Sequence, residues 1–294
     1  MLKQNLGISK KQIIFVGFND YHRFLHNCLS SQLELDNKVL KYHEIFYGKL
    51  NLERFVRLSK ILFVILVRAE CTYIPHICSL KMFMISLLSK KVNLYDDGVS
   101  YINDTEIEQP LIRNVINYTY GSSGFKVKGY RDILKLSFFD TFASPTKFLK
   151  EHLHQKRQFV RLRCVNNLFP KETPSLLFID SPNFTEEDSK LKLIAKDISD
   201  LGKNLKSRII SFHPNGQRSK LADLLMLDNF ETLQSNLLEE LKTHTYQIVI
   251  GIHSTGLLAA LFLNHKNIYF ISCNDKDIKL KRHYQSLGFH KICY

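Results

Sequence analysis

The hydrophobic positions in the N-terminal half of the chain alternate between short apolar runs and longer amphipathic stretches. Short runs are typical of buried strands, and stretches with an apolar face every three or four residues are typical of helices. The run ILFVILV is apolar at all seven positions, which favours a strand covered on both faces. The predicted elements are, in order, strand 12–17, helix 21–32, strand 39–46, strand 61–67, helix 76–88 and strand 92–95.

The same alternation restarts after residue 170. It predicts strands at 175–179, 208–212, 247–250 and 267–271, and helices at 186–201, 230–241, 257–263 and 277–287. Between the two halves, the stretch 145–170 is crowded with basic residues and is predicted to form a helix and an interdomain connection. The order of strands and helices predicts an α/β fold with two domains, 1–165 and 166–294. Two successive nucleotide-binding halves of this kind indicate a GT-B-like fold, with two Rossmann-type domains whose parallel sheets face a central cleft.

Composition places the chain among globular proteins. Its 294 residues are 45% hydrophobic, which is enough to bury a sizeable core. No run reaches the roughly 18 to 20 apolar residues that a membrane span needs. The most apolar stretch, 61–88, is interrupted by Arg68, Glu70, Pro75 and Lys81. Because the start of the chain also lacks the features of a secretory signal, we expect a cytoplasmic protein with reduced cysteines.

The net charge of +13 calls for an anionic partner. Nucleic acid, the inner face of a membrane and an anionic substrate are the candidates. The basic stretch lacks the interleaved aromatic side chains that stack on bases, which argues against nucleic acid. It remains either a solvated helix face or a peripheral contact with the inner membrane. Its cations are Lys147, Lys150, Lys156, Arg157, Arg161 and Arg163.

The first motif with possible chemistry is Tyr95-Asp96-Asp97-Gly98, which follows a predicted strand. Adjacent side chains leaving a strand point in opposite directions, so that one of the two carboxylates can face a ligand. A carboxylate there could take the proton from a sugar hydroxyl as a general base. The alternative is a plain turn, because aspartate and glycine favour turns.

The second motif is His213-Pro214-Asn215-Gly216, again directly after a predicted strand. Open parallel sheets bind ligands beyond the carboxyl ends of their strands. A histidine in such a loop can donate a hydrogen bond to a phosphate oxygen, and proline restricts the backbone that presents it. The alternative is an ordinary surface loop.

The third motif is His253-Ser254-Thr255-Gly256, between a predicted strand and a predicted helix. The unpaired N–H groups at a helix start form an anion site, and the hydroxyls of Ser254 and Thr255 would add donors. The alternative is an ordinary Ser/Thr cap of the helix. One half of the chain thus carries an acid and the other half carries groups suited to a phosphate.

NLYDDGVSY, FHPNG and the Ser-Thr pair resemble the shared motifs of the bacterial sialyltransferases of the lipooligosaccharide, Pasteurella-type and polysialic acid group. The similarity covers both motif-bearing regions in order and spacing, but it does not extend residue by residue through the first 90 residues. It implies a GT-B fold and transfer of sialic acid, with inversion, from CMP-sialic acid to a glycan acceptor such as a galactose of a lipooligosaccharide or capsule. It implies no metal and no cofactor.

The resemblance also assigns roles to residues. Asp97, beside Gly98, is similar to the general base, with Asp96 as the alternative. His213, within the loop that includes Pro214 and Gly216, matches the histidine at the CMP phosphate. Ser254 and Thr255 match the hydroxyl pair that holds this phosphate. Glu239 or Glu240 is similar in position to a glutamate that binds the ribose.

The sequence departs from these relatives in places. Ser211 stands where they often carry a lysine, Thr255 replaces a serine, and the contacts that select the acceptor have no recognisable match. A transferase for another CMP-linked acidic sugar such as Kdo, and a non-catalytic nucleotide-sugar binding module, therefore stay open as alternatives.

Metal ligands have no convincing pattern in the sequence. Asp275 and Asp277 form a D-x-D pair, but this pair opens a predicted helix, where aspartates serve as caps and as partners of the helix dipole. The histidines outside the three motifs, His22 and His76 among them, form no recognisable ligand set.

Overall fold

A computed structural model gives the architecture of the chain. It describes residues 12–34, 40–45, 51–98, 100–101, 105–121, 125–145, 147–162, 171–182, 184–212, 217–252, 254–272 and 284–294. The chain divides into two compact units, Met1–Val165 and Asn166–Tyr294.

The first unit is built on a six-stranded sheet in which every neighbouring pair is parallel. Its strands, in the order β2-β1-β3-β4-β5-β6 across the sheet, begin and end at β1 Gln12–Gly17, β2 Leu40–Glu44, β3 Ala69–Ile74, β4 Val92–Tyr95, β5 Thr141–Ser144 and β6 Gln158–Arg161. The helices are α1 Asp20–Glu34, α2 Leu52–Arg68, α3 Leu80–Leu88, α4 Pro110–Tyr120 and the single turn α5 Tyr130–Ile133. A 3₁₀-helix covers Phe148–His152.

The second unit is also a six-stranded parallel sheet. Its strands, in the order β12-β11-β10-β7-β8-β9, are β7 Lys171–Ile179, β8 Ser207–Ser211, β9 Glu231–Thr232, β10 His244–Gly251, β11 Ile268–Ser272 and β12 His290–Cys293. The helices are α6 Asp188–Gly202, α7 Lys220–Leu227, α8 Leu237–Thr243 and α9 Thr255–Phe262. Counted from β7, the strand order is the 3-2-1-4-5-6 of a Rossmann fold. The predicted class of two Rossmann-type α/β domains is confirmed.

The prediction of a strand at 61–67 is wrong, because the run ILFVILV belongs to helix α2. Only Ile61 and Ile65 of this run are buried, together with Leu58 one turn earlier, which is the spacing of a helix face on a sheet. The strand that follows is β3, AECTYI, whose polar residues hide it from a search for apolar runs. The following helix also begins later than predicted, at Leu80, because Ser79 caps it by accepting a hydrogen bond from the amide of Met82.

The basic stretch has a different structure from the one predicted. Within residues 147–162 the structure has the 3₁₀-helix and the edge strand β6, and no α-helix. Arg157 is bound within the unit, since it donates to the carbonyl of Ser137 over 2.6 Å and lies 3.6 Å from the carboxylate of Asp140. Its side chain is only 14% exposed. The described part of this stretch is therefore not the face of an α-helix.

The predicted helix at 230–241 is too long. Phe230 is buried, Glu231 and Thr232 form β9, and α8 begins only at Leu237 after its cap Asn236. Strands β5, β6, β9 and β12 and helices α4, α5 and α7 have no counterpart in the sequence prediction. The predicted helix at 277–287 lies mostly outside the described residues.

Each unit has its own hydrophobic core between sheet and helices. In the first, Phe15 of β1 and Tyr95 of β4 stack with ring centroids 4.1 Å apart, and both are fully buried. In the second, Leu176 and Phe178 of β7 pack with residues of α6 and α7. Among the described helices, none has the length and apolarity required to traverse a bilayer.

Candidate functional site

Three polar side chains meet at the carboxyl edge of the first sheet. His22 follows β1, His76 follows β3 and Asp97 follows β4, and these three strands are neighbours in the sheet. Asp97 Oδ1 lies 2.8 Å from Nε2 of His22, and Asp97 Oδ2 lies 3.8 Å from Nε2 of His76. Since β1 and β3 flank the point where the strand order reverses, the cluster occupies the position where open α/β sheets bind ligands.

The backbone fixes which nitrogen of each histidine faces Asp97. The amide of Phe18 donates to Nδ1 of His22 over 3.2 Å, and the amide of Cys78 donates to Nδ1 of His76 over 3.0 Å. A ring nitrogen that accepts a hydrogen bond carries no proton, so this network assigns the proton of each neutral ring to Nε2. The Nε2 atoms of both histidines therefore carry the ring protons and lie within ion-pair distance of the same carboxylate.

The charge of Asp97 is set by its surroundings. Burial alone would raise the pKa of Asp97, but His76, His22 and a hydrogen bond from Ser100 lower it by more, and the net pKa lies below its ordinary value. The net pKa of His76 lies below its ordinary value. Burial and, to a smaller extent, His22 lower this pKa, whereas the carboxylate of Asp97 raises it. The Asp97 carboxylate, with its side chain 10% exposed, is thus held as an anion.

Asp96 has a different environment although it is the next residue. It is fully buried, accepts a hydrogen bond from the hydroxyl of Ser144 over 2.6 Å, and accepts another from the amide of Gly98 over 2.9 Å. Burial raises its pKa to about 7 in spite of these bonds. The structure separates the two carboxylates as the alternation along a strand predicts, with Asp96 inside the protein and Asp97 at a cavity.

Gly98 completes the turn after β4. Its φ of +87° lies in the left-handed region that favours glycine. Because its amide already donates to Asp96, the geometry gives Gly98 a turn-forming role, as expected if this motif forms a plain turn.

A cavity of about 880 Å³ adjoins Asp97 within the first unit. This volume lies in the range of pockets that hold small molecules. Asp97 and His76 line it together with Tyr130 and with apolar side chains of α2 and α3, among them Leu58 and Leu62. Ser100 and the segment 105–109 add hydroxyl, carboxyl and amide groups to the lining. Such a mixture of polar groups and apolar surface can accommodate a sugar beside a carboxylate.

In the second unit, helix α9 begins at the carboxyl edge of the sheet. It follows β10, which lies beside β7 at the point where the strand order reverses. Ser254 is the N-cap, and its Oγ accepts a hydrogen bond from the amide of Gly256 over 3.1 Å. Thr255 is the first helical residue. The capping interpretation of this motif is therefore correct, and it leaves the Ser254 hydroxyl hydrogen available to a ligand oxygen.

Helix α8 begins next to α9. A Cβ on Gly256 would lie 2.9 Å from Leu237 of α8 and 3.2 Å from Ile179 of β7, so that glycine allows this close approach. In the first turn of α8, Glu240 is bound within the unit by Ser235, Tyr246 and His244, and its pKa is lowered because these contacts outweigh burial.

Glu239, one residue earlier, has a side chain that is 66% exposed and pairs with Lys242 over 2.7 Å. Of the two candidate glutamates, Glu239 therefore has the more accessible carboxylate.

His213, Pro214 and Gly216 lie outside the described residues, as do Asp275 and Asp277. The positions that flank the His-Pro motif are described. The guanidinium of Arg218 lies 4.5 Å from the ring centroid of Phe212, and Asp180, after β7, accepts a hydrogen bond from the amide of Ser219 over 3.0 Å. These contacts hold residues 212, 218 and 219 together near the carboxyl ends of β7 and β8.

Within the part of the chain that the structure describes, no group of three or more His, Cys, Asp or Glu residues has an arrangement that could hold a metal ion. His22 and His76 bind the carboxylate of Asp97 instead. This role of the two histidines is not predicted from the sequence. The signal lies in their positions after β1 and β3, which becomes visible only when β3 is placed correctly.

No family model matches the sequence, and no curated protein matches it. Among solved structures, a proposed UDP-N-acetylglucosamine 2-epimerase from Listeria monocytogenes is 11% identical, with a TM-score of 0.52, over 93% of this chain and 82% of its own. MnaA from S. aureus, solved with UDP, is 13% identical, with a TM-score of 0.52, over 89% of this chain and 79% of its own. At these identities the similarity concerns the fold alone. It shows a GT-B fold with two parallel-sheet α/β domains of six strands each.

Proposed function

We propose that the chain is an inverting sialyltransferase that uses CMP-sialic acid as its donor. The proposed acceptor is a terminal sugar of a bacterial lipooligosaccharide or capsule, with galactose as the preferred candidate. The GT-B fold and the sequence resemblance support the reaction class. The observation that carries the proposal is Asp97, an anionic carboxylate held between two histidines beside a cavity of sugar-binding size.

Asp97 is the proposed general base. In the displacement, the acceptor hydroxyl attacks the anomeric carbon, CMP leaves from the opposite face, and the hydroxyl proton passes to an oxygen of Asp97. A carboxylate of low pKa stays ionised at neutral pH, and it takes the proton when the attacking hydroxyl becomes acidic as its bond to carbon forms. His22 and His76 keep the carboxylate in one orientation and stabilise its charge before the reaction.

The donor is proposed to bind at the second unit. The start of α9, with the hydroxyls of Ser254 and Thr255, would receive the CMP phosphate, and His213 would donate to the same group. Negative charge grows on this phosphate as CMP leaves, and preorganised donors at the phosphate stabilise that charge. Glu239 would bind the ribose. CMP carries a single phosphate, which these groups can bind without a metal ion or other cofactor.

A donor panel tests the proposal. The protein would be incubated with CMP-sialic acid, CMP-Kdo or UDP-N-acetylglucosamine, together with a panel of galactosides and sialosides, and the products identified by mass spectrometry. We expect a sialylated product with inverted configuration from CMP-sialic acid, and none from the UDP-sugar. Transfer from CMP-Kdo alone would replace the donor assignment.

Hydrolysis without an acceptor separates an enzyme from a binding module. An active transferase is expected to release CMP slowly from CMP-sialic acid in the absence of acceptor. A protein that binds CMP but neither hydrolyses nor transfers the donor would be the non-catalytic module instead.

A further inference from the structure

The exposed apolar side chains of the described residues are concentrated on two helices that pack against each other. Nine of the fourteen large hydrophobic side chains that are exposed lie on α2 and α3. Exposed apolar residues scattered singly are ordinary, but a group on adjoining helices marks an interaction surface. On α2 they are Leu52, Phe55, Val56, Phe63, Leu66 and Val67. On α3 they are Leu80, Met84 and Leu87, and we call the nine together the α2–α3 face.

The α2 part of this face is a stripe along one side of the helix. Its members are separated by three, four or seven residues, spacings that return to the same side of a helix, and the exposed polar side chain of Ser59 interrupts the stripe near its middle. The opposite side of α2 is buried in the core through Leu58, Ile61 and Ile65. Helix α2 is therefore apolar on two sides, and only one of them is used to fold the first unit. Phe63 and Leu66, which are 64% and 53% exposed, are not required by the core.

Cations border the stripe. Arg57, Lys60 and Arg68 are exposed, and α2 contains a single acidic residue, Glu53. Helices that lie in a membrane interface have this composition, with apolar side chains at the acyl boundary and cations at the lipid phosphates. A symmetric contact with a second copy would instead bring like charges of two chains together, each with a net charge of +13. Charge complementarity therefore favours an anionic lipid surface over self-association.

We propose that the α2–α3 face docks the protein on the surface of an anionic phospholipid bilayer. The docking does not depend on the proposed chemistry. The docking face and the candidate site are nevertheless adjacent, because Phe55, Leu80 and Met84 belong both to this face and to the lining of the cavity at Asp97. Docking would bring that cavity to the lipid surface. The proposal also places the membrane contact on α2 and α3 and not on the basic stretch 147–163.

Vesicle co-sedimentation tests this. The whole chain should bind vesicles of equimolar phosphatidylglycerol and phosphatidylcholine, bind phosphatidylcholine alone weakly, and lose affinity steeply as salt rises. The double variant Phe63→Gln/Leu66→Gln should lower the partition coefficient about tenfold or more. Arg57→Glu/Lys60→Glu should lower it about a hundredfold at low salt.

Two matched controls keep the test specific. Leu193→Gln/Leu227→Gln removes two exposed apolar side chains from α6 and α7 in the second unit, and Lys150→Glu/Lys156→Glu makes the same charge change on the basic stretch. Both controls should bind vesicles as the parent protein does. Circular dichroism and transfer to a soluble galactoside should be unchanged in all four variants.

The proposal is wrong if the α2 variants bind vesicles normally, or if the controls lose binding to the same extent. It is also wrong if the parent protein ignores vesicles but sediments as a dimer that Phe63→Gln/Leu66→Gln dissociates, because the face would then be a subunit interface. Vesicle binding without any sialyl transfer would leave the docking intact and contradict the proposed function alone.

Discussion

The adjacent carboxylates Asp96 and Asp97 should affect stability with opposite dependence on pH. Burial raises the pKa of Asp96 from 3.8 to about 7, whereas the histidines and Ser100 bring the pKa of Asp97 below 3.8. A raised pKa in the folded state means that folding binds a proton, so the contribution of Asp96 is fully present below pH 3.8 and is lost as the pH rises through 7. A lowered pKa gives Asp97 a contribution that is present above pH 3.8 and is lost in acid.

The substitution Asp96→Asn isolates the first effect. Asparagine has the same shape, and it can accept from the Gly98 amide while donating to Ser144, so both buried bonds can be kept. The pKa of Asp96 differs by about three units between the unfolded and the folded state. At about 1.4 kcal/mol per unit, this difference contributes roughly 4 kcal/mol to the free energy of unfolding. Because Asp96 is fully buried, solvent screening does not reduce this figure. The stability of Asp96→Asn relative to the parent protein should therefore rise by up to roughly 4 kcal/mol between about pH 4 and pH 8.

Urea unfolding followed by circular dichroism across this pH range measures the difference directly. Asp97→Asn serves as the matched variant, and relative to the parent it should be less stable at neutral pH, with the deficit shrinking as the pH falls. If the free energies of unfolding of Asp96→Asn and the parent protein stay parallel from pH 4 to pH 8, Asp96 does not titrate there. The assignment of the two environments would then be refuted.

Three further predictions concern the proposed site. His22→Phe should lower kcat/KM for sialyl transfer about tenfold to a hundredfold by releasing Asp97 from its orientation. His22→Gln keeps an N–H donor at this position, so its kcat/KM in initial-rate assays should be close to that of the parent protein. His26→Phe, on the same helix, should leave kcat/KM unchanged. Ser254→Ala should weaken CMP binding in calorimetry, and loss of the helix cap should destabilise the protein by about 1 kcal/mol. The control is Asn51→Ala, which removes the cap of α2 and should destabilise the protein by a similar amount without changing its affinity for CMP. Transfer should persist in EDTA; complete loss that Mg²⁺ or Mn²⁺ restores would reinstate Asp275 and Asp277 as ligands.

The repeated strand and helix pattern predicts the class of fold because buried parallel strands are short apolar runs between amphipathic helices. QIIFVG and VNLY are such runs, and both are strands in the structure. The pattern fails where a helix is apolar on two sides. In α2, the run ILFVILV contributes side chains to the core on one side of the helix and to the exposed stripe on the other. Periodicity alone cannot distinguish such a helix from a strand that is buried on both faces.

That error also hides part of the candidate site. With a strand at 61–67, His76 stands at the start of the helix predicted at 76–88 and far from the end of a strand. With β3 at 69–74, His76 follows a strand by two residues, as Asp97 follows β4, and the two strands are neighbours. His22 needs tertiary information as well, because only the strand order places β1 beside β3. Motif position alone could predict Asp97, whereas its partners required the sheet topology.

The role of Asp97 as the general base is tested by the rate of sialyl transfer of Asp97→Asn, measured together with its affinity for CMP. A lost general base should lower kcat by about 10²- to 10⁴-fold while the dissociation constant for CMP changes little. Asp96→Asn, at about pH 7, should transfer at close to the parent rate. Near-normal transfer by Asp97→Asn, with Asp96→Asn disabled, would exclude Asp97 as the general base and assign that role to Asp96.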